Sequence, residues 1–382
     1  MFRLEALPAR HGDALLLHFG AGKLAVIDGG PATVYRNALK PRLDEIRSAR
    51  RVPAGRPLDI ELVMVSHIDA DHITGLLELT RAMKDLRDSR QPVPWRIKRF
   101  WLNSFDDLVA SGGAARVAGG TPRAGNAFAA DVEVFAASAT LTPASVKQGR
   151  ELAKLLPALK LDQNAPFGGL VQYRTSAKPV TIGGLRLRVI GPNEDNLALL
   201  RKDWAKKVVA VISKEGTSDV AAVVADYVDR SPYNLSSIVL LAEYGGRTML
   251  LTGDGRGDHT LGELKTAGLL ERGRLEVDLL KLPHHGSSRN VEQDYFDTIQ
   301  ARHYVISADG SHSNPDIETL EMISRSRRDD DFTIYLTYPY DEWRDRAVGR
   351  RVEQFFKGET AKGRAYRVVT RAAGEGSISV RL

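Results

Sequence analysis

Residues 67–72 read His67-Ile68-Asp69-Ala70-Asp71-His72, two imidazoles and two carboxylates in one short run. Nitrogen and oxygen donors this dense suit a divalent ion better than a solvated turn. The reason is the apolar stretch just before them, Ile60 to Val65, which reads as a buried strand leading straight into His67. If the run is extended, residues 67, 69 and 71 share one side, and His72 opens the helix that follows. Asp254, His284 and His285 also stand immediately beyond strand-like runs. Loops at one sheet edge can meet in space, and a dinuclear hydrolytic site needs several such donors within about 2.0–2.2 Å of each ion. The chain has no cysteine, which excludes thiolate ligands, disulfides and a cysteine nucleophile.

Those loops need strands to carry them. Phe2 to Leu7, Ala14 to Phe19 and Leu24 to Ile27 read as a hairpin meander, with a Gly-rich turn over Gly20 to Gly22. Tyr35 to Arg50 and Ile73 to Leu86 have helical spacing, and Ile97 to Leu102 reads as a strand. In the second half, strands are expected over Leu185 to Ile190, Ile238 to Leu241, Thr248 to Leu251, Leu275 to Leu282, Tyr304 to Ser307, Phe332 to Leu336, Arg364 to Val369 and Ile378 to Leu382. Helices are expected near 194–213, 291–300 and 315–326. Two β-rich halves with helices between them predict an α/β protein built as an αβ/βα sandwich, a single domain over 1–382. Residues 104–165 read as an insertion, Gly/Ala-rich over 109–140, then helical over Ala144 to Leu156 behind Thr142-Pro143. Residues 343–382 read as a basic C-terminal elaboration ending in a strand.

At 382 residues with 43% hydrophobic and 27% charged side chains, the chain has the composition of an ordinary soluble globule. No apolar run approaches the roughly 18 residues of a membrane span. Met1-Phe2-Arg3-Leu4-Glu5 lacks the layout of a signal peptide, so a cytoplasmic location without a membrane partner is expected. The net charge of +6 is concentrated in 343–371, where nine Arg/Lys face three acids, with Phe355, Phe356 and Tyr366 among them. Basic and aromatic residues together could track a nucleic-acid backbone; the alternative is a merely solvated helix and strand face.

The 67–72 run resembles the His-x-His-x-Asp-His signature of the metallo-β-lactamase superfamily, with Asp69 in place of the second histidine. It is most similar to the metallo-hydrolase domain of bacterial DNA-uptake competence channel proteins and their soluble stand-alone relatives. Four further segments match in order: His11-Gly12-Asp13-Ala14, Val26-Ile27-Asp28-Gly29-Gly30, Leu250-Leu251-Thr252-Gly253-Asp254, and Leu280-Lys281-Leu282-Pro283-His284-His285-Gly286-Ser287. The resemblance implies a four-layer αβ/βα sandwich holding two divalent ions, Zn2+ or Mn2+. It implies His67 and Asp69 on one ion, Asp71 and His72 on the other, Asp254 bridging, and one of His284 or His285 completing the second. It also makes Asp28 the carboxylate that orders the ligand loop. The superfamily's third histidine on the first ion has no counterpart, since no histidine lies between His72 and His259. Asn234 stands near the expected place, as a weak oxygen ligand or a turn residue, so the first site would bind its ion more weakly.

Asp71 and His312 are the candidate catalytic residues, His312 as a proton donor or substrate contact in the loop Asp309 to Pro315. Ser287, Ser288 and Arg289 precede a helix and could clasp a phosphate, favouring phosphodiester chemistry. His259 reads as a surface or capping residue, and His18 and His303 as structural. The leading expectation is a phosphodiesterase or nuclease. A hydrolase of a small ester, amide or cyclic nucleotide and a non-catalytic binding module stand as alternatives. The 109–140 stretch could also admit a regulatory protein or protease.

Overall fold

Strands β1 (Phe2–Ala6), β2 (Leu15–Phe19) and β3 (Lys23–Ile27) form the expected antiparallel meander, with Leu4 opposite Leu17 and Leu17 opposite Ala25. The computed structural model describes residues 1–108, 144–175, 177–202, 233–327, 329 and 331–382. The expected strand from Ile60 to Val65 is two strands. β4 (Leu58–Ile60) pairs in parallel with β6 (Trp95–Ile97), whereas β5 (Leu62–Met64) pairs with β3 and with β7 (Phe100–Trp101). Both breaks fall at charged residues. Glu61 N–H turns to Leu24 O at 2.8 Å, and Lys98 Nζ meets Glu61 Oε1 at 2.6 Å, so the chain steps out of the main sheet there.

Helix α1 (Lys40–Ala49), helix α2 (Ala70–Asp88) and helix α3 (Ala144–Ala158) cover one face of this sheet. Leu16, Val26 and Val63 meet Leu43, Leu76, Leu77 and Leu152 there. The opposite face buries Leu17, Ala25 and Met64 against Leu187, Leu240, Met249 and Leu279 of the second sheet. Burial on both faces explains why these strands read as continuous apolar runs rather than as alternation.

The second sheet runs from β8 (Val180–Ile182) through β9 (Leu185–Gly191), β10 (Val239–Tyr244), β11 (Arg247–Leu251), β12 (Leu275–Lys281), β13 (Ile299–Ile306) and β14 (Thr333–Leu336) to β15 (Arg367–Thr370), each beside the next. From β11 to β15 the neighbours are parallel. Its outer face is covered by α4 (Gly257–Thr266), α5 (Gln293–Thr298), α6 (Ile317–Ser326) and α7 (Arg346–Ala361). The result is helices, sheet, sheet, helices: a four-layer αβ/βα sandwich. The short β8 escapes sequence reading because three residues ahead of the Gly183-Gly184 turn carry no periodicity. β16 (Ile378–Arg381) crosses back to pair with β1 at the edge of the first sheet.

Val348, Val352 and Phe356 bury one face of α7, Phe355 packs on the same core, and Tyr366 stacks on Phe332 at 4.5 Å. Phe356 therefore serves the core, and Phe355 and Tyr366 are half-buried against it. The helix expected near 194–213 is seen over 194–202; the remainder, and the whole 109–140 stretch, lie outside the described residues. Among the described residues no helix is long and apolar enough to cross a membrane.

Candidate metal centre

The ligand-type residues gather where β3, β5, β11, β12 and β13 end, the edge at which strand-following loops converge in α/β sheets. Asp69 is the N-cap of α2, yet its carboxylate caps nothing. It faces His67 instead, Oδ2 lying 3.3 Å from Nε2.

Asp254, buried at 3% exposure, divides the cluster. Its Oδ1 lies 3.3 Å from His72 Nε2 and 3.5 Å from His285 Nε2, with Asp71 Oδ2 3.8 and 3.6 Å from the same two nitrogens. Its Oδ2 lies 3.9 Å from His67 Nε2 and 3.7 Å from His284 Nε2. Asp71, His72 and His285 thus gather beside Oδ1, while His67, with Asp69 next to it, and His284 lie beside Oδ2. The resemblance implies only one of the adjacent histidines as a ligand, to the second ion. The structure places one on each side of Asp254, and His284 faces the half that lacked a third histidine. Backbone geometry makes the split: His284 and His285 both sit in the left-handed region, at φ 46° and 56°. Each such residue costs roughly 1–2 kcal/mol, a strain that persists where surrounding structure enforces it.

The outward nitrogens fix the inward ones. His72 Nδ1 donates to Asp28 Oδ2 at 2.9 Å, and His285 Nδ1 to Ser307 O at 3.0 Å. His284 Nδ1 donates to Asn290 Oδ1 at 2.6 Å. His67 Nδ1 meets Ser66 Oγ at 3.0 Å, and that hydroxyl donates on to Asp28 Oδ2 at 2.6 Å. Every Nε2 is thereby turned towards Asp254. Asp28 holds its place because its loop lies against the first turns of α2. Gly29 N–H bonds His72 O at 2.8 Å, and a Cβ on Gly75 would stand 1.9 Å from Gly29 O.

Nε2 of His67, His72 and His285 and Oδ1 of Asp254 are buried without hydrogen-bond partners. Buried polar atoms are normally satisfied, so four convergent orphans fit a cation that draws on all of them. The charge balance agrees. Burial disfavours charge throughout, yet Asp254, Asp71 and Asp28 outweigh it at His72 and hold that imidazole well above its ordinary range. His285 is pushed up to about 9 in the same way, against burial, chiefly by Asp254 and Asp71. Burial would raise Asp254 and Asp71, but the histidines hold both low. This is a field that attracts positive charge, and bound metal would displace protons from it.

Two residues essential to this geometry were not singled out from sequence. Lys281, at the end of β12, puts Nζ 2.5 Å from Asp13 Oδ2, and Asp13 Oδ1 lies 3.6 Å from His285 Nδ1. Asp13 meets the distance criterion for a ligand beside His285 and Asp254, but its charge is already matched by Lys281. The available signal was a lysine closing an otherwise apolar strand, which requires a buried partner.

Several expectations need correction. Asn234 lies on the outer side of His284, its amide nitrogen 3.2 Å from Nδ1, and so buttresses that ring rather than facing Asp254. Ser287 N–H is bonded to His284 O, and Ser288 N–H and Oγ both bond Asp316 Oδ2 at 2.8 and 2.9 Å. Ser288 therefore has both donors engaged, Ser287 is buried with its N–H taken, and Arg289 is exposed. His312 is exposed, edge-on to His11 with ring centroids 5.4 Å apart. His18 on β2 bonds Glu5 on β1, His259 is in the first turn of α4, and His303 packs on Tyr335, all apart from the cluster.

No family model matches the chain. ComE operon protein 3 of Bacillus subtilis is 29% identical over 117 residues, 29% of this chain and 14% of that protein's length. Two solved structures are similar at low score. The diiron β-hydroxylase CmlA from Streptomyces venezuelae has 10% identity and a TM-score of 0.39, covering 100% of this chain and 54% of that one. A protein of unknown function from Enterococcus faecalis has 9% identity and a TM-score of 0.30, covering 98% and 71%. Neither structural likeness bears on activity. Layer order, strand topology and the His/Asp cluster define a four-layer αβ/βα sandwich with a candidate divalent-metal centre at the strand ends.

Proposed function

We infer that the chain is a metal-dependent hydrolase acting on phosphodiesters, a phosphodiesterase or nuclease. The observation that carries this reading is the division of four imidazole Nε2 atoms between the two oxygens of Asp254. His67, Asp69 and His284 would hold one ion and Asp71, His72 and His285 the other, with Asp254 shared. Bound metal supplies an acidified water and a positive centre for charge developing on the attacked oxygen. The chain does the positioning. Asp28, Ser66, Ser307 and Asn290 fix the imidazole tautomers, and burial keeps bulk water away from His72 and Asp254.

Phosphodiester chemistry is supported by the surroundings. Arg289, Arg346, Arg350 and Arg351 are exposed, the last three on the solvent face of α7, where nucleic-acid phosphates would be neutralised. The test is cleavage of single- and double-stranded DNA, RNA and bis(p-nitrophenyl) phosphate by the full chain, with zinc and with manganese. Asp71→Ala is expected to abolish cleavage. Equal degradation by both proteins would trace the activity to a contaminant and reject the reading.

A further inference from the structure

The loop that carries His11 lies directly against the metal centre. Asp13 N–H reaches Asp71 O at 3.3 Å, and a Cβ on Gly12 would stand 1.9 Å from that oxygen, so the two backbones touch. Arg10 N–H donates to Tyr338 Oη at 2.7 Å and Ser307 Oγ donates to Gly12 O at 2.7 Å, pinning the loop from both sides. His11 is consequently close enough to feel the charges of Asp71 and His285. On its other side lies a shallow, solvent-open cavity of about 530 Å³, lined by His11, Ser311, His312, Arg344, Asp345 and Arg346.

We propose that this cavity is an anion subsite that takes a phosphate group flanking the one attacked at the metal centre. The inference rests on the phosphodiester reading above for its substrate, but not for its binding chemistry. Arg344 and Arg346 make no ion pair with any described residue, although acids are plentiful on this surface. Unpaired guanidiniums beside a cavity offer the forked donors that suit phosphate. His11 Nδ1 is buried without a hydrogen-bond partner, and His312 stands edge-on to it in the left-handed conformation at φ 56°.

The acid in the lining is otherwise engaged. Asp345 Oδ1 accepts Ala347 N–H at 2.8 Å and Val348 N–H at 3.2 Å, capping α7. Asp309, beneath the loop, is buried and accepts Ser311 N–H at 3.0 Å, while its carbonyl takes Arg344 N–H at 2.8 Å. These contacts hold the arginine loop against the His312 loop, so histidine and arginine donors face the same space. A small phosphodiester with no second phosphate would leave this space empty; a nucleotide chain would fill it.

Two measurements separate the subsite from the function. In the first, Arg344→Ala/Arg346→Ala is compared with the parent on a short 5′-phosphorylated oligonucleotide and on bis(p-nitrophenyl) phosphate. The expected result is a KM increase of about 10–100-fold on the oligonucleotide, several times larger than any change on the small diester. In the second, inorganic phosphate is titrated into the full chain as purified, followed through the ring resonances of His11 and His312. Saturable shifts are expected in the parent and not in the double variant. If phosphate shifts both rings but no phosphodiester is cleaved, the subsite stands and the catalytic reading falls. If oligonucleotides are cleaved but the variant loses equally on both substrates and phosphate moves neither ring, the subsite is overturned and the catalytic reading stands.

Discussion

Lys281 and Asp13 form an ion pair at 2.5 Å with both side chains sealed from solvent, at 0% and 1% exposure. It joins the loop after β1 to the end of β12 and passes the Asp13 carboxylate on to His285. Removing one member of such a pair leaves an uncompensated buried charge. Lys281→Met is therefore expected to cost roughly 3–5 kcal/mol of stability. Asp13→Asn combined with Lys281→Met should recover most of it. Denaturant unfolding checks this; equal midpoints for parent and Lys281→Met would show that the pair does not hold the loop.

Because Asp254 presents one oxygen to each half-site, its loss should affect both ions. Asp254→Ala is expected to lower bound metal from about two ions per chain to below one, and His67→Ala to about one, by elemental analysis. Chelation should lower the Tm of the parent and leave Asp254→Ala nearly unmoved. Full metal content in both variants would place the ions elsewhere.

Asp28 acts through His72 and Ser66, not by facing the centre. Its backbone is left-handed at φ 58°, a conformation asparagine tolerates. Asp28→Asn should thus keep the fold while weakening metal affinity about 10–100-fold, as the imidazole loses its carboxylate acceptor. Metal titration against a competing chelator measures this. An affinity matching the parent's would mean that Asp28 only shapes its turn.

Glu263 on α4 is buried with its carboxyl pushed up to about 8, burial prevailing over hydrogen bonds from Asn193 and Asn196. Between about 4.5, the unperturbed value, and about 8 the folded chain keeps a proton that the unfolded chain has released. This contribution to stability is full below that window and disappears as pH rises through it. Unfolding free energy should therefore fall with pH from 5 to 8 more steeply in the parent than in Glu263→Gln, by at most about 1.4 kcal/mol per pH unit. Identical slopes would count against a protonated Glu263.

The cluster was legible where ligands lie close in sequence: His67 to His72 declares itself, and Asp254 and the histidine pair follow strands strong enough to locate. What could not be read depends on backbone direction or distant pairing. The opposed aims of His284 and His285 come from two consecutive left-handed residues, a conformation no propensity announces. Ser288 looked like a phosphate donor until Asp316, a neighbour only in space, took both its donors. The layers were legible because apolar runs mark strands buried on both faces. The step between β4 and β5 was not, because a single charged residue in that run does not announce that Glu61 N–H turns to Leu24 O. Sequence likewise records the spacing of Phe355 and Phe356, not which side of α7 meets the core.

β1 finds its partner in β16, and Ser377 Oγ closes the seam by bonding Glu5 Oε1 at 2.6 Å across 372 positions. During synthesis β1 must therefore wait for residues 378–381 before its outer edge is covered. Pairings of such long reach form slowly, and an open strand edge recruits neighbouring chains in the meantime. Yield of native protein should consequently depend on translation speed and chaperone supply more than the stability of the finished fold would suggest.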